Sequence, residues 1–246
     1  MADAPTRSLP LPTAITVARD LNGPAGSANG GVAAGLLAAF IHGPVRVRLY
    51  RPPPLGKAME VRETAAGLEA VYEDEVAMVA SPGRLDLYPP AVTMDEAVGA
   101  TSEFVGHAAV TCVVCGPDHV GGLQIAPGPV GPGPVHATTW TPPEWAGDGL
   151  GIVRVEIVWG VLDCPGAIML VRHYPGESMF PALGTITADI IEPVRIGDNY
   201  VVIAWPRGRD GRKLYAGTAI VGPTGIVHAI SDQVCIAMPF EWGGIA

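Results

Sequence analysis

Apolar residues follow a helical period near the start of the chain. Five of them between Ala33 and Ile41 are spaced i, i+3, i+4, i+7 and i+8, so residues 22–44 are predicted to contain a helix with one apolar stripe. Ser27 or Asn29 is expected to cap the start of this helix by accepting a backbone N–H, and Gly43-Pro44 is expected to end it. Because alanine and glycine surround the stripe, we expect other structure to wrap the helix.

A strand period follows the helix. Residues 45–50 alternate apolar and polar side chains, and two further strands are predicted over residues 58–62 and 70–79. Thr93 and Glu96 have the spacing of a capping box, which predicts a short helix after these strands. A helix followed by successive antiparallel strands is typical of an α+β fold, and not of alternating β-α-β units.

The same pattern occurs a second time in the chain. Pro52 and Gly56 have the spacing of Pro193 and Gly197, and strand-like segments surround both pairs. A unit that is repeated within one chain usually cannot bury its apolar face alone. We therefore expect two related halves that pack together.

The repeat sets the expected domain boundaries. An N-terminal half is predicted over residues 15–90, a connecting segment over 91–111 and a C-terminal half over 112–242. The apolar stretch 150–170 is rich in valine and isoleucine, which favours a strand, but its position in the repeat favours the second helix. We follow the repeat, and we expect Pro165 to kink or end this helix.

Composition excludes several classes of function. The 246 residues carry a net charge of −9, which argues against a nucleic-acid partner because phosphate binding needs a basic face. The sequence contains no uninterrupted run of about 18 apolar residues, so no membrane span is predicted. The first residues lack the apolar core of a secretory signal, so a cytoplasmic location is expected. The abundance of arginine, alanine, glycine and proline beside only two lysines is typical of a GC-rich bacterial genome.

The cysteines suggest metal chemistry only weakly. Cys112-Val-Val-Cys115, with His107 before it and His119 after it, is a pattern found in zinc sites. A closed zinc site needs four ligands at compatible spacings, and no second Cys-x-x-Cys or spaced histidine pair follows. We therefore expect no metal and no cofactor. All four cysteines are interpreted as small buried apolar residues in a reducing compartment: Cys112, Cys115, Cys164 and Cys235.

Two motifs resemble the acyl-CoA thioesterases of the hotdog superfamily. Residues 28–32 (ANGGV), followed by Ala-Gly-Leu-Leu, resemble the Gly-Gly turn that opens the central helix of these enzymes. Residues 112–117 (CVVCGP), with GLQI at 122–125, resemble the entry to PaaI-like hotdog domains. The resemblance covers most of the chain. It implies a tandem (double) hotdog of the TesB-like type, in which an antiparallel sheet wraps each of two central helices, and it implies hydrolysis of acyl-CoA.

The resemblance also implies a set of catalytic residues. TesB-like enzymes use an aspartate, a threonine or serine, and a glutamine of the C-terminal half, and the matching residues here are Asp163, Thr187 and Gln233. Thioester hydrolysis needs a water aimed at the carbonyl carbon and a group that accepts its proton. Asp163 is expected to accept that proton, while Thr187 and Gln233 orient the water.

Substrate binding is expected at the start of the first helix. The backbone N–H groups of Gly30 and Gly31, next to Asn29, are expected to hold the thioester oxygen, because a helix N-terminus favours negative charge. The acyl chain is expected in an apolar tunnel beside this helix. A cationic cluster is expected to meet the coenzyme A phosphates at the mouth: Arg207, Arg209, Arg212 and Lys213.

Alternative functions stay open on the same fold. A non-catalytic protein that binds acyl-CoA or fatty acyl groups would keep the tunnel and the arginines but show no turnover. A hydratase or dehydratase needs an Asp/His pair in a dedicated loop, and no matching Asp-x-x-x-x-His segment occurs. A structural partner subunit would keep the interface without chemistry. A homo-oligomer, as a dimer of double hotdogs, is the expected assembly.

Overall fold

A computed structural model describes residues 10–24, 26–101 and 109–240 of the chain. His107, considered above with the cysteines, lies outside the described residues. Within these ranges the chain forms three α-helices, one short 3-10 helix and eleven strands that join in one sheet. Among the described residues, we find no helix that could span a lipid bilayer.

The first part of the chain forms a helix and a run of strands. Its elements are β1 (Ala14–Thr16), α1 (Gly30–Ala38), β2 (Val45–Leu49), β3 (Ala58–Thr64), β4 (Gly67–Tyr72) and β5 (Glu75–Pro82). The cap prediction is confirmed, because the side chain of Asn29 accepts a hydrogen bond from Val32 N at 2.9 Å. The prediction of one strand over 70–79 is wrong. Glu73 and Asp74 adopt positive φ angles of 51° and 62°, which makes the tight hairpin turn between β4 and β5.

The second part repeats this order on a longer scale. Its elements are α2 (Met94–Ala100), β6 (Gly128–Pro129), β7 (His136–Trp140), the 3-10 helix Glu144–Ala146, α3 (Val155–His173), β8 (Met179–Ile190), β9 (Tyr200–Asp210), β10 (Lys213–Val221) and β11 (Val227–Pro239). The capping box of Thr93 and Glu96 is confirmed at the start of α2. The stretch after Leu150 is a helix, as the repeat predicted, and α3 does not end at Pro165.

The sheet is antiparallel and nearly symmetric about its centre. Its strand order is β1-β3-β4-β5-β2-β8-β11-β10-β9-β7-β6, so β3-β4-β5-β2 and β9-β10-β11-β8 have the same internal order. The two sets meet where β2 pairs with β8, with Val47 opposite Ile186. Gly56 and Gly197 both have positive φ, at 67° and 79°, in the turn before the second strand of each set. The predicted α+β class with an antiparallel sheet is confirmed.

Helices α1 and α3 pack against each other on one face of the sheet. Glycines on α1 make the approach close. A Cβ at Gly35 would lie 2.7 Å from the Cα of Glu156, and one at Gly31 would lie 2.5 Å from both the Cβ of Asp163 and the carbonyl oxygen of Trp159. A glycine on the contact face lets the backbones approach in this way. The close packing brings Asp163, on α3, to the start of α1.

Candidate active site

A cavity of about 750 Å³ opens beside the start of α1. Its wall is mostly apolar and is built by the first turn of α1, the middle of α3, the end of β2 and the neighbouring parts of β8 and β11. Tyr50 and Arg51 line it where the protein surface is accessible, and Tyr50 is 56% exposed. Asn29 and Asp163 line its buried end. The volume and the few polar groups are typical of a site for a small organic ligand.

Asp163 is the buried carboxyl of this cavity. Asp163 is 7% exposed, and its Oδ2 accepts a hydrogen bond of 2.8 Å from the backbone N–H of Gly31. Burial raises the pKa of Asp163 to about 7, since desolvation penalises the charged form. The Gly31 hydrogen bond opposes this shift of the pKa, while the nearby Cys112 adds to it. A carboxyl whose pKa lies near neutrality is suited to take a proton and return it.

The first turn of α1 only partly has the predicted arrangement. The Gly31 amide donates to Asp163, so it is already engaged. Gly30 lines the cavity at the first helical position, where an amide has no partner within the helix. Asn29 is buried and acts as the helix cap through its Oδ1. Its Nδ2 points away from the helix, to the sulfur atoms of Cys164 at 3.3 Å and Cys112 at 3.5 Å.

Thr187 is not brought to Asp163. Its neighbours on β8, Ile186 and Ala188, are buried in the core beneath the helices. Successive residues of a strand point to opposite faces, so Thr187 lies on the face turned away from the helices. There it contacts Gly83 and is paired in register with Asp232. A role for Thr187 in orienting water at Asp163 does not fit this placement.

Gln233 lies beneath α3 and does not line the cavity. It is fully buried, and its Nε2 donates to the carbonyl oxygen of Leu162, the residue before Asp163. Its Nε2 also lies 3.3 Å from Thr218 Oγ1 and 3.2 Å from Ser231 Oγ, while Thr218 donates to the same carbonyl at 2.6 Å. Gln233 and Thr218 therefore hold the α3 backbone next to Asp163, and Ser231 bonds the side chains of both. Sequence reasoning missed Thr218 and Ser231, which follow ordinary strand alternation and have no motif.

The three arginines do not form one cationic cluster. Arg207 pairs with Asp232 at 2.5 Å, on the sheet face turned away from the helices. Arg209 pairs with Glu177 at 2.5 Å, near the end of α3. Arg212 donates to the carbonyl oxygen of Ala237 at 3.2 Å, next to Met238, which lines the cavity. Only Arg212 of the three therefore lies close to the cavity, and none of them lines it.

Arg51 was missed as a cavity residue. It follows β2 at the accessible side of the cavity and forms an ion pair with Glu75 of β5. Pro52, the residue that follows it, was considered only as part of the repeat. The sequence offered no signal that this strand end would face the start of α1.

Three cysteines meet at the buried end of the cavity. The sulfur atoms of Cys112, Cys115 and Cys164 all lie within 4.8 Å of one another, and those of Cys112 and Cys164 are 3.7 Å apart. All three residues line the cavity. His119 is not among them, because its Nε2 bonds the carbonyl oxygen of Asp20 at 2.9 Å. Cys164 was missed as a partner of the Cys-x-x-Cys pair because α3 supplies it from 49 residues further along the chain.

Comparison with known proteins establishes the fold. No family model matches the chain, and no curated protein matches it. The structure of a proposed thioesterase from Novosphingobium aromaticivorans is similar over 92% of this chain and 94% of that chain, with a TM-score of 0.63 at 14% identity. An acyl-CoA thioesterase II from Mycobacterium marinum is similar over 89% of this chain and 92% of that chain, with a TM-score of 0.60 at 12% identity. The predicted resemblance to hotdog thioesterases is confirmed at the level of the fold.

Proposed function

We propose that the protein hydrolyses acyl thioesters, with acyl-CoA as the substrate. One observation carries the proposal: Asp163, with its pKa raised to about 7, is bonded to the first turn of a helix at the buried end of an apolar cavity. Thioester hydrolysis needs a base for water, donors for a developing oxyanion and an apolar space for the acyl group. The cavity wall contains a group suited to each of these roles.

The reaction follows from this arrangement. The thioester carbonyl lies against the first turn of α1, where the amide of Gly30 and the helix dipole stabilise negative charge on its oxygen. Asp163, as carboxylate, takes a proton from a water while the water oxygen attacks the carbonyl carbon. The tetrahedral intermediate then expels the thiolate, which takes the proton back from Asp163. The products are a carboxylic acid and the free thiol, and Asp163 returns to its ionised form.

Gln233 acts through the α3 backbone in this proposal, and not on the water. Its hydrogen bond to the Leu162 carbonyl, with the bond that Thr218 donates to the same atom, fixes the turn that carries Asp163. Such indirect support keeps a reacting group within a fraction of an ångström of its working position. Gln233 and Thr218 are therefore positioning residues.

The coenzyme end of the substrate lies at the accessible side of the cavity. There Arg51 takes the phosphate-binding role that the sequence suggested for Arg207, Arg209 and Arg212, because Arg51 lines the cavity and they do not. The repeated order of one helix and four strands supports the tandem hotdog arrangement with halves at 15–90 and 112–242. Because acyl-CoA is the proposed substrate, the proposed place of the enzyme is cytoplasmic acyl metabolism.

Hydrolysis of an acyl-CoA panel tests the proposal. Short, long and aromatic acyl-CoAs are followed by release of free thiol, for the wild type and for Asp163→Asn, which keeps the shape but loses the base. We expect kcat to fall by roughly 100-fold or more in this variant, the usual range for acid–base groups. Asp189→Asn is the matched control, since burial also raises the pKa of Asp189 but it lies on β8 away from the cavity wall.

The outcomes separate the alternatives. If Asp163→Asn retains the turnover of the wild type, Asp163 is not the catalytic base and another residue takes that role. Absence of turnover on every substrate, together with acyl-CoA binding measured by calorimetry, would make the protein a binding protein and refute hydrolysis.

A further inference from the structure

The segment that contains Cys112 and Cys115 has the geometry of a metal-binding loop. The Cys112 sulfur accepts hydrogen bonds from the backbone N–H groups of Val114 and Cys115. The loop then turns at Gly116 so tightly that a Cβ there would overlap the Cys112 backbone and the Val110 carbonyl oxygen. Only glycine fits at such a contact. The sulfur atoms of the two cysteines in this loop lie within 4.8 Å of each other.

Helix α3 brings a third sulfur atom to the same point. Cys164 Sγ lies 3.7 Å from Cys112 Sγ, and all three sulfur atoms are within 4.8 Å of one another. Thiolates bound to one tetrahedral Zn²⁺ at about 2.3 Å lie about 3.8 Å from each other. The Cys112–Cys164 separation therefore matches that of two ligands on one ion, and the Cys115 sulfur lies within 4.8 Å of both.

One polar side chain, Asn29, contacts two of the three sulfur atoms. Asn29 Nδ2 donates to the sulfur atoms of both Cys112 and Cys164. Asn29 is also the N-cap of α1, so the positive end of that helix dipole lies beside the group. Donors that point at coordinating sulfur atoms raise metal affinity and orient the ligands. One side chain thus links the start of α1, the Cys112 loop and α3.

We propose that Cys112, Cys115 and Cys164 bind one Zn²⁺ ion as three thiolate ligands. Soft sulfur ligands select thiophilic cations such as Zn²⁺ over the hard cations Mg²⁺ and Ca²⁺. Three protein ligands leave one position of a tetrahedral ion, and this position opens to the cavity because all three cysteines line it. The proposal does not depend on thioester hydrolysis.

Metal binding by the wild-type protein is the primary test. Protein is reduced, freed of metal and titrated anaerobically with Co²⁺, and then with Zn²⁺ against a chromogenic chelator. We expect one Co²⁺ per chain, with the thiolate-to-cobalt charge-transfer absorption of a sulfur-rich tetrahedral site, and displacement of Co²⁺ by Zn²⁺. The proposal is overturned if the wild type takes up neither ion in competition with the chelator. It is also overturned if a Cys112–Cys164 disulfide remains after treatment with the reductant.

Variants assign the ligands. Cys112→Ser, Cys115→Ser and Cys164→Ser are each expected to abolish the charge-transfer absorption. Cys235→Ser is the matched control, because Cys235 is equally buried but lies on β11 outside the group, and this variant is expected to bind one ion. Asn29→Ser keeps a capping hydroxyl but loses the Nδ2 donor, so it is expected to bind Zn²⁺ about 10- to 100-fold more weakly.

Two results with the variants would contradict the proposal. Absorption that survives in Cys164→Ser would overturn the three-ligand site, and so would its loss in Cys235→Ser. Circular dichroism of each variant shows whether it folds. The wild-type titration decides the proposal even where a cysteine variant does not fold.

Discussion

Substitution of Gly35 by alanine tests whether the α1–α3 contact is as close as the structure shows. An added Cβ would lie 2.7 Å from the Cα of Glu156, 2.8 Å from the Cβ of Trp159 and 2.9 Å from the Trp159 Cγ. Contacts below 3.0 Å require a shift, and here the shift involves the α3 backbone and a buried indole. A flexible side-chain end is not available to absorb the added methyl group.

The cost follows from two opposing effects. Overpacking of a filled core costs about 1–3 kcal/mol, and the backbone contact places Gly35→Ala near 3 kcal/mol. Alanine gains up to about 1 kcal/mol over glycine in a helix interior. The free energy of unfolding is therefore expected to fall by about 2 kcal/mol, which lowers the melting temperature of a chain of this length by about 4–8 °C.

Urea unfolding measured by circular dichroism checks this value. Gly99→Ala is the matched control, because Gly99 lies in α2 with no atom within 4 Å of the added Cβ. It is expected to raise the free energy of unfolding by up to about 1 kcal/mol. A Gly35→Ala midpoint that equals or exceeds the wild type, with Gly99→Ala stabilised as expected, would refute the close packing of the two helices.

Two further predictions concern the cavity. In metal-free protein, the folded state keeps a proton on Asp163 that the unfolded chain releases, so the free energy of unfolding should fall as the pH rises from about 4 to about 7. Asp163→Asn lacks this titration. In urea unfolding it should be more stable than the wild type at pH 8, by up to about 4 kcal/mol, and similar to the wild type at pH 4. Equal stability at pH 8 would contradict the raised pKa. Arg51→Ala should raise KM for acyl-CoA about tenfold with little change in kcat, while Arg207→Ala should leave KM unchanged. The difference should vanish with acyl-pantetheine, which lacks the nucleotide, and an equal effect of both variants would contradict the assignment of Arg51.

Local patterns predicted the elements whose physical cause is local. The Asn29 cap and the capping box at Thr93 depend on a few neighbouring residues, and both are present. The repeat identified α3 as a helix where valine and isoleucine favoured a strand. The hairpin at Glu73-Asp74 was missed because neither residue is a glycine or asparagine, the usual signals for positive φ in such turns.

The candidate site was harder to predict because it depends on which face of a strand each residue occupies. A bulge in β8, between Leu183 and Thr185, shifts the pairing of β8 with β11 by one residue. Odd-numbered residues therefore face the helices before the bulge, and even-numbered residues face them after it. One residue of register decides whether a threonine faces Asp163 or the opposite side of the sheet. The resemblance that suggested Thr187 does not contain this information.

The contact between α1 and α3 builds the cavity chemistry and the fold together. Gly31 and Gly160 let the helices approach until the Gly31 amide reaches Asp163 and the Asn29 side chain reaches Cys164. A larger residue at either glycine would separate these groups before it opened the sheet. The same close approach buries the Asp163 carboxyl, which raises its pKa and costs stability at neutral pH. The site therefore lies at the close contact between α1 and α3. Substitutions there are expected to change activity and stability together.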